Sequence, residues 1–152
     1  MNERVRPPRE LEPLLDRLKE EGVFETKQKG MMFGAGLGRW LHERGQELPE
    51  LEKRGEGIRI EYFRSVDDDG FIDVLAVTEA DALGVLANDR TDERIELFER
   101  YAYLGLSHLD VALEGGVRSP LEVLVELVEQ AREGGVPGDL PGLDDVEGVI
   151  FG

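Results

Sequence analysis

Histidine, carboxylate and hydroxyl side chains carry most acid–base, nucleophilic and metal chemistry in proteins. The chain has two histidines, His42 and His108, and no cysteine. Neither histidine has a zinc-type spacing such as HExxH, and no nucleophile motif accompanies His108 and Asp110 in the segment HLD. The DDDG segment at 67–70 places its glycine too early for a calcium loop. We therefore expect no catalytic site, no metal and no cofactor, and we predict that the chain is not an enzyme.

Four closely spaced glycines lie in the segment KGMMFGAGLGRW at residues 29–40. Gly34, Gly36 and Gly38 give G-x-G-x-G inside a helical pattern, whereas a dinucleotide site needs G-x-G-x-x-G before a helix. The apolar run is about half a membrane span. The spacing of Gly30, Gly34 and Gly38 is instead the small-xxx-small pattern that brings two helices close together.

A helical wheel places four large apolar residues on one face, with Gly30 and Gly34 on or beside it; they are Phe33, Leu37, Trp40 and Leu41. Interior glycines each cost about 1 kcal/mol relative to alanine, so a close contact must offset them. We predict that a helix-packing or partner contact is made by Gly30, Gly34, Gly38, Phe33, Leu37 and Trp40. A crossing within the same chain is favoured, and a homodimer is the alternative.

The same helix carries a basic cluster of Lys27, Lys29, Arg39 and Arg44. These residues support an alternative function, a small DNA-binding protein. The chain has 34 acidic and 18 basic residues, a formal net charge of −16, and such a surface repels a phosphate backbone. Direct nucleic-acid binding is therefore disfavoured. Few of the basic residues are lysines, so adaptation to high intracellular salt and a functional acidic surface both remain open explanations of the acidity.

Length and hydrophobic periodicity predict a mainly α protein with one compact domain of five to six helices. The domain spans residues 9–134, after a flexible lead-in at 1–8 and before a glycine-, proline- and acid-rich tail at 135–152. The segment IRIEYF at 58–63 predicts a short extended stretch or strand. No secretory signal or membrane-length apolar run is present, so we expect a cytoplasmic protein without membrane contact.

Capping residues mark several helix starts. Thr26 and Thr91 are predicted caps, and SPLEVLVELVEQAREGG contains a capping box that begins at Ser119. We expect the inward face of this last helix to consist of Leu121, Leu124, Val125 and Val128. Leu83 and Leu86 are also predicted to face inward.

The tail segment GLDDVEGVIFG is a candidate docking peptide. Val149, Ile150 and Phe151 would be its anchors, flanked by acidic residues. Disorder of the whole tail is the alternative.

Three stretches together resemble a known family. They are FETKQKGMMFGAGLGRW, FIDVLAVTEADALGVL after the extended residues Ile58, Arg59 and Phe63, and RIELFERYAYLGLSHL, which is similar to a FEEYANGGL element. This order resembles Dnd system-associated protein 4, a family of small proteins encoded beside bacterial and archaeal DNA phosphorothioation genes. The resemblance covers Val23 to Leu113.

The resemblance implies a role in defence based on sulfur-modified DNA. In such systems some proteins install the phosphorothioate and others restrict unmodified DNA. A small acidic helical protein fits best as a non-catalytic accessory or regulatory component. Its expected partner is a larger protein of the modification or restriction complex.

Overall fold

The computed structural model describes residues 3–80, 83–116 and 118–133. Its elements in chain order are β1 (Arg4–Val5), α1 (Glu12–Glu20), α2 (Lys27–Glu43), β2 (Ile58–Arg59), α3 (Ile60–Arg64), α4 (Asp69–Ala80), α5 (Thr91–Ala112) and α6 (Pro120–Arg132). Short 3-10 turns occur at Arg9–Leu11, Leu83–Leu86 and Asn88–Arg90. The described part is mainly helical, so the predicted fold class is confirmed.

The long helices α2 and α5 cross at the centre, and the other elements surround them. Met31 and Leu41 of α2 and Phe98 and Leu106 of α5 are completely buried there. Amphipathic α1 adds its leucines to the same core, with Leu15 almost fully buried. Burial of one apolar stripe per helix is what stabilises helices of this length in water.

Within the segment 1–8 that the sequence assigns to a flexible lead-in, residues 4 and 5 form a strand. Arg4–Val5 pairs antiparallel with Ile58–Arg59, and Val5 is fully buried. Residues 1 and 2 lie outside the described residues. The predicted extended stretch at 58–63 is correct only for its first two residues, because Ile60–Arg64 is helical.

Two of the predicted helix caps are confirmed. Thr26 Oγ1 accepts the N–H of Lys29 at 3.2 Å, and Ser119 Oγ accepts the N–H of Glu122 at 3.3 Å. Thr91 is instead the first residue of α5, and its hydroxyl accepts a hydrogen bond from Arg94 Nη2 at 3.1 Å.

In the segment before α5, the buried apolar residue is not one of those that the sequence predicts to face inward. Leu83 and Leu86 are 73% and 39% exposed, whereas Val85 between them is buried. A 3-10 turn has three residues per turn, so a wheel drawn for an α-helix assigns its inward positions wrongly.

Helix α6 also presents an unexpected face to the core. Val123, Leu124 and Leu127 are buried, whereas Leu121 and Val125 are exposed; Val128 is exposed as well. The predicted inward set is therefore wrong except for Leu124. The helix carries two adjacent apolar stripes, and the sequence alone does not say which one the core covers.

Candidate functional site

The glycine strip of α2 lies against α5 of the same chain. A Cβ added at Gly34 would come 2.5 Å from Leu106 Cγ, and one added at Gly38 would overlap the carbonyl oxygen of Tyr101. Gly105 of α5, which the sequence did not predict to lie at this crossing, lies equally close to the carbonyl of Gly34. The two backbones thus approach closely because both helices carry glycine at the crossing. Gly30 lies one turn away, where an added Cβ would come 2.8 Å from Leu15 Cδ2.

The large apolar residues of the predicted site lie on a different face of α2. Phe33, Leu37 and Trp40 line a groove of about 370 Å³ between α2 and α6. The remaining lining residues are Gly36, Leu127, Val128, Ala131 and Arg132. The structure therefore divides the six predicted residues between a closed helix crossing and an open apolar groove.

An exposed apolar ridge on α6 extends this groove. It consists of Leu121, Val125 and Val128, which are 58%, 48% and 45% exposed, and Val128 also lines the groove. The three positions follow i, i+4 and i+7 spacing, so they lie in one row along the helix. The sequence of α6 indicates this ridge, because the helix has more apolar positions than one buried stripe requires.

The two lysines at the start of α2 are paired with carboxylates of neighbouring segments. Lys27 Nζ lies 3.0 Å from Asp16 Oδ1, and Lys29 Nζ lies 3.0 Å from Asp68 Oδ2. The hydrogen bond to Asp16 is the main cause that raises the pKa of Lys27. Both ammonium groups are thus engaged within the chain.

The two arginines of the predicted basic cluster are engaged as well. Arg39 lies 3.3 Å from Glu43 Oε2 and donates to Tyr101 Oη at 3.2 Å. The guanidinium of Arg44 stacks over the Trp40 ring at 4.6 Å and donates to the carbonyl of Trp40 at 3.1 Å. The four cations of the cluster therefore each have a partner in the same chain.

A polar cluster that the sequence did not predict connects α2, α4 and α5. Tyr101 Oη donates to Glu79 Oε1 at 2.7 Å, and His42 Nε2 lies 3.2 Å from the same oxygen. Burial, followed by the hydrogen bond to Glu79, raises the pKa of Tyr101 to about 12. A phenol with a raised pKa holds its proton, so Tyr101 acts here as a hydrogen-bond donor that joins helices.

A second buried polar contact fixes the start of the chain to α5. Glu99 is 1% exposed, and its carboxylate accepts the N–H of Arg6 at 2.6 Å and Arg54 Nη1 at 2.7 Å. Burial raises the pKa of Glu99, while these two hydrogen bonds oppose the shift. This carboxylate therefore holds together three segments that are distant in sequence.

The described residues contain neither a candidate metal cluster nor a membrane-length apolar helix. No group of three or more histidine, aspartate or glutamate side chains in residues 3–80, 83–116 and 118–133 is placed to hold a metal ion. Over the same ranges no helix has the length and apolar character needed to cross a membrane. The predicted tail anchors Val149, Ile150 and Phe151 lie outside the described residues.

The family model described as DNA sulphur modification system-associated protein 4 matches residues 4–139, which includes every described helix. No curated protein and no solved structure is similar enough to match the chain.

Proposed function

Because the chain belongs to the DNA sulphur modification system-associated protein 4 family, we propose that it is a non-catalytic accessory or regulatory component of a DNA phosphorothioation-linked defence or restriction system. It acts by binding a larger modification or restriction protein. The family description supports the link to sulfur modification of DNA. The mode of action is our inference from the surface of the molecule.

The observation that carries the proposal is the apolar surface formed by the groove and the ridge of α6. Leu121, Val125 and Val128 expose about half of their side-chain area in a chain with 34% charged residues. Contiguous apolar surface of this kind marks interaction sites on water-soluble domains. A protein partner that covers it would remove this apolar area from water at about 25 cal/mol per Å².

Removal of the gene from its native host tests the proposal. An accessory component is expected to change either the phosphorothioate content of the DNA, measured by mass spectrometry of digested DNA, or the restriction of an unmodified plasmid. Complementation with the intact gene restores the wild-type value. Unchanged modification and unchanged restriction in the deletion strain would contradict the proposal.

DNA binding through Lys27, Lys29, Arg39 and Arg44 is the rival function. It requires these cations to leave the partners that they contact within the chain, and it must overcome the net charge of −16. Binding of a DNA duplex by the wild type and by a variant with alanine at the first three positions, across a salt series, separates the two functions. A steep salt dependence that the variant loses supports the rival. No binding by the wild type at low salt supports our proposal.

A further inference from the structure

We propose that the groove between α2 and α6 and the adjoining ridge form the docking site for an amphipathic helix of a partner protein, whose apolar stripe is bordered by lysine or arginine. This inference rests on the proposed function and specifies the chemistry of the partner. The ridge is Leu121, Val125 and Val128, and the groove takes its opposite wall from Phe33 and Trp40.

The shape of this surface fits a helix. The ridge is a straight row on α6, and Val128 joins it to the groove, so the apolar surface is continuous. Helix-in-groove recognition uses apolar anchors at i, i+3, i+4 and i+7 of the incoming helix. The groove lining is apolar apart from the Arg132 side chain and the Trp40 indole. A small-molecule site is usually lined by several placed polar groups that fix orientation, so this lining favours apolar side chains of a protein.

A row of carboxylates borders the ridge on the side away from the core. Glu122, Glu129 and Glu133 are exposed, and the 100° step of an α-helix places them beside Val125 on the wheel. A neighbouring glutamate, Glu126, is already paired with Arg118. The border therefore offers three exposed carboxylates beside the guanidinium of Arg132, and a basic edge on the incoming helix complements it.

The same charges argue against a second copy of this chain as the occupant. A two-fold interface places the same patch of both copies together. In an antiparallel pair of α6 helices, the edge that carries Glu122 and Glu129 would meet its own copy. Like charges juxtaposed at an interface disfavour association, so a partner of opposite charge fits this surface better.

Trp40 gives a direct readout, because it is the chain's one tryptophan and it lines the groove. The probe is a synthetic helical peptide of about 15–20 residues, with leucines at the anchor spacing and lysines along the edge that would face the carboxylate row. A comparison peptide has the same leucines and glutamate in place of lysine. Fluorescence of Trp40 and anisotropy of the labelled peptide are measured with the full chain.

Two variants of the chain locate the binding. Val125→Glu adds a negative charge to the ridge, so any loss of affinity for the lysine peptide comes from the apolar contact and not from charge. Val74→Glu is the matched control, because Val74 is 62% exposed on α4 outside the site. We expect Val125→Glu to weaken binding about tenfold and Val74→Glu to leave it unchanged. The glutamate peptide should bind about tenfold more weakly than the lysine peptide, and the difference should shrink with added salt.

Several results would overturn the inference. Equal affinity for the lysine and glutamate peptides would show that charge complementarity plays no part in binding. An equal loss of affinity in Val125→Glu and Val74→Glu would show that the peptide does not bind at the ridge. A dimer of the wild type in sedimentation that Val125→Glu dissociates would make a second copy the occupant. A host deletion without effect on modification or restriction contradicts the proposed function but leaves the docking chemistry standing. If the deletion changes modification or restriction but the chain binds the lysine and glutamate peptides equally, the proposed function stands and the docking inference is contradicted.

Discussion

The backbone of Gly38 in α2 lies directly against the carbonyl group of Tyr101 in α5, with no space for a β-carbon between them. Close approach at this point lets the two central helices pack along their whole crossing and aligns Tyr101 with its polar partners in α2 and α4. The same crossing fixes the opposite face of α2, where Phe33 and Trp40 form one wall of the groove.

Gly38→Ala should destabilise the fold by about 2–3 kcal/mol, because the methyl group forces the helix backbones apart. Gly36→Ala is the matched control in the same helix. A Cβ there would come 3.7 Å from Phe71 Cζ, an ordinary contact, and alanine in a helix interior gains up to about 1 kcal/mol over glycine. Urea unfolding with an unchanged m-value measures both. Similar effects of the two substitutions would contradict the assigned crossing.

Glu99→Ala should cost about 3 kcal/mol, since it leaves the N–H of Arg6 and the guanidinium of Arg54 without their buried acceptor. Glu96→Ala, three residues earlier on the exposed face of α5, should be close to neutral. The comparison uses the free energy of unfolding at neutral pH. If the two variants were equally stable, Glu99 would not hold the start of the chain.

Tyr101→Phe should destabilise the protein by about 1–3 kcal/mol below pH 10, because it removes a buried donor from Glu79. Since the pKa of Tyr101 is raised from 10.0 to about 12, its ionisation disfavours the folded state. The stability that the phenol contributes is complete below pH 10.0 and is lost as the pH rises through about 12. The difference in unfolding free energy between wild type and Tyr101→Phe should therefore narrow over this range.

His108 should weaken the fold in acid. Burial lowers its pKa from the ordinary 6.5, so the folded chain binds this proton less readily than the unfolded chain. The stability from neutral His108 is present above pH 6.5 and is lost as the pH falls through its folded pKa. The free energy of unfolding of the wild type and of His108→Leu, measured across this pH range, isolates the contribution of His108. A constant difference between the two proteins at every pH would contradict it.

The local part of this architecture follows from the sequence. The spacing of Gly30, Gly34 and Gly38 indicates a close helix crossing, and the caps at Thr26 and Ser119 occur as predicted. Both signals depend on residues within one helix or one turn. Such short-range patterns can be predicted because their physical cause lies in the residues themselves. Glycine lacks a side chain, and a capping residue places an oxygen next to a free N–H.

The remaining features depend on contacts between distant segments. Pairing of Val5 with Ile58 and the hydrogen bond from Arg54 to Glu99 join parts of the chain about 50 residues apart. Hydrophobic periodicity within one segment does not predict which distant segment it contacts. The candidate groove was half predicted, because Phe33, Leu37 and Trp40 were identified but their wall on α6 was not. The sequence of α6 has two apolar stripes, and either of them could have been the buried one.

Affinity purification of the tagged full chain from its native host tests the central claim most directly, with mass spectrometry of the proteins recovered. We predict that a phosphorothioation modification or restriction protein co-purifies with the wild type and with Val74→Glu. Val125→Glu should reduce its recovery by about tenfold. Recovery of none of that system's proteins by the folded wild-type chain would contradict the account.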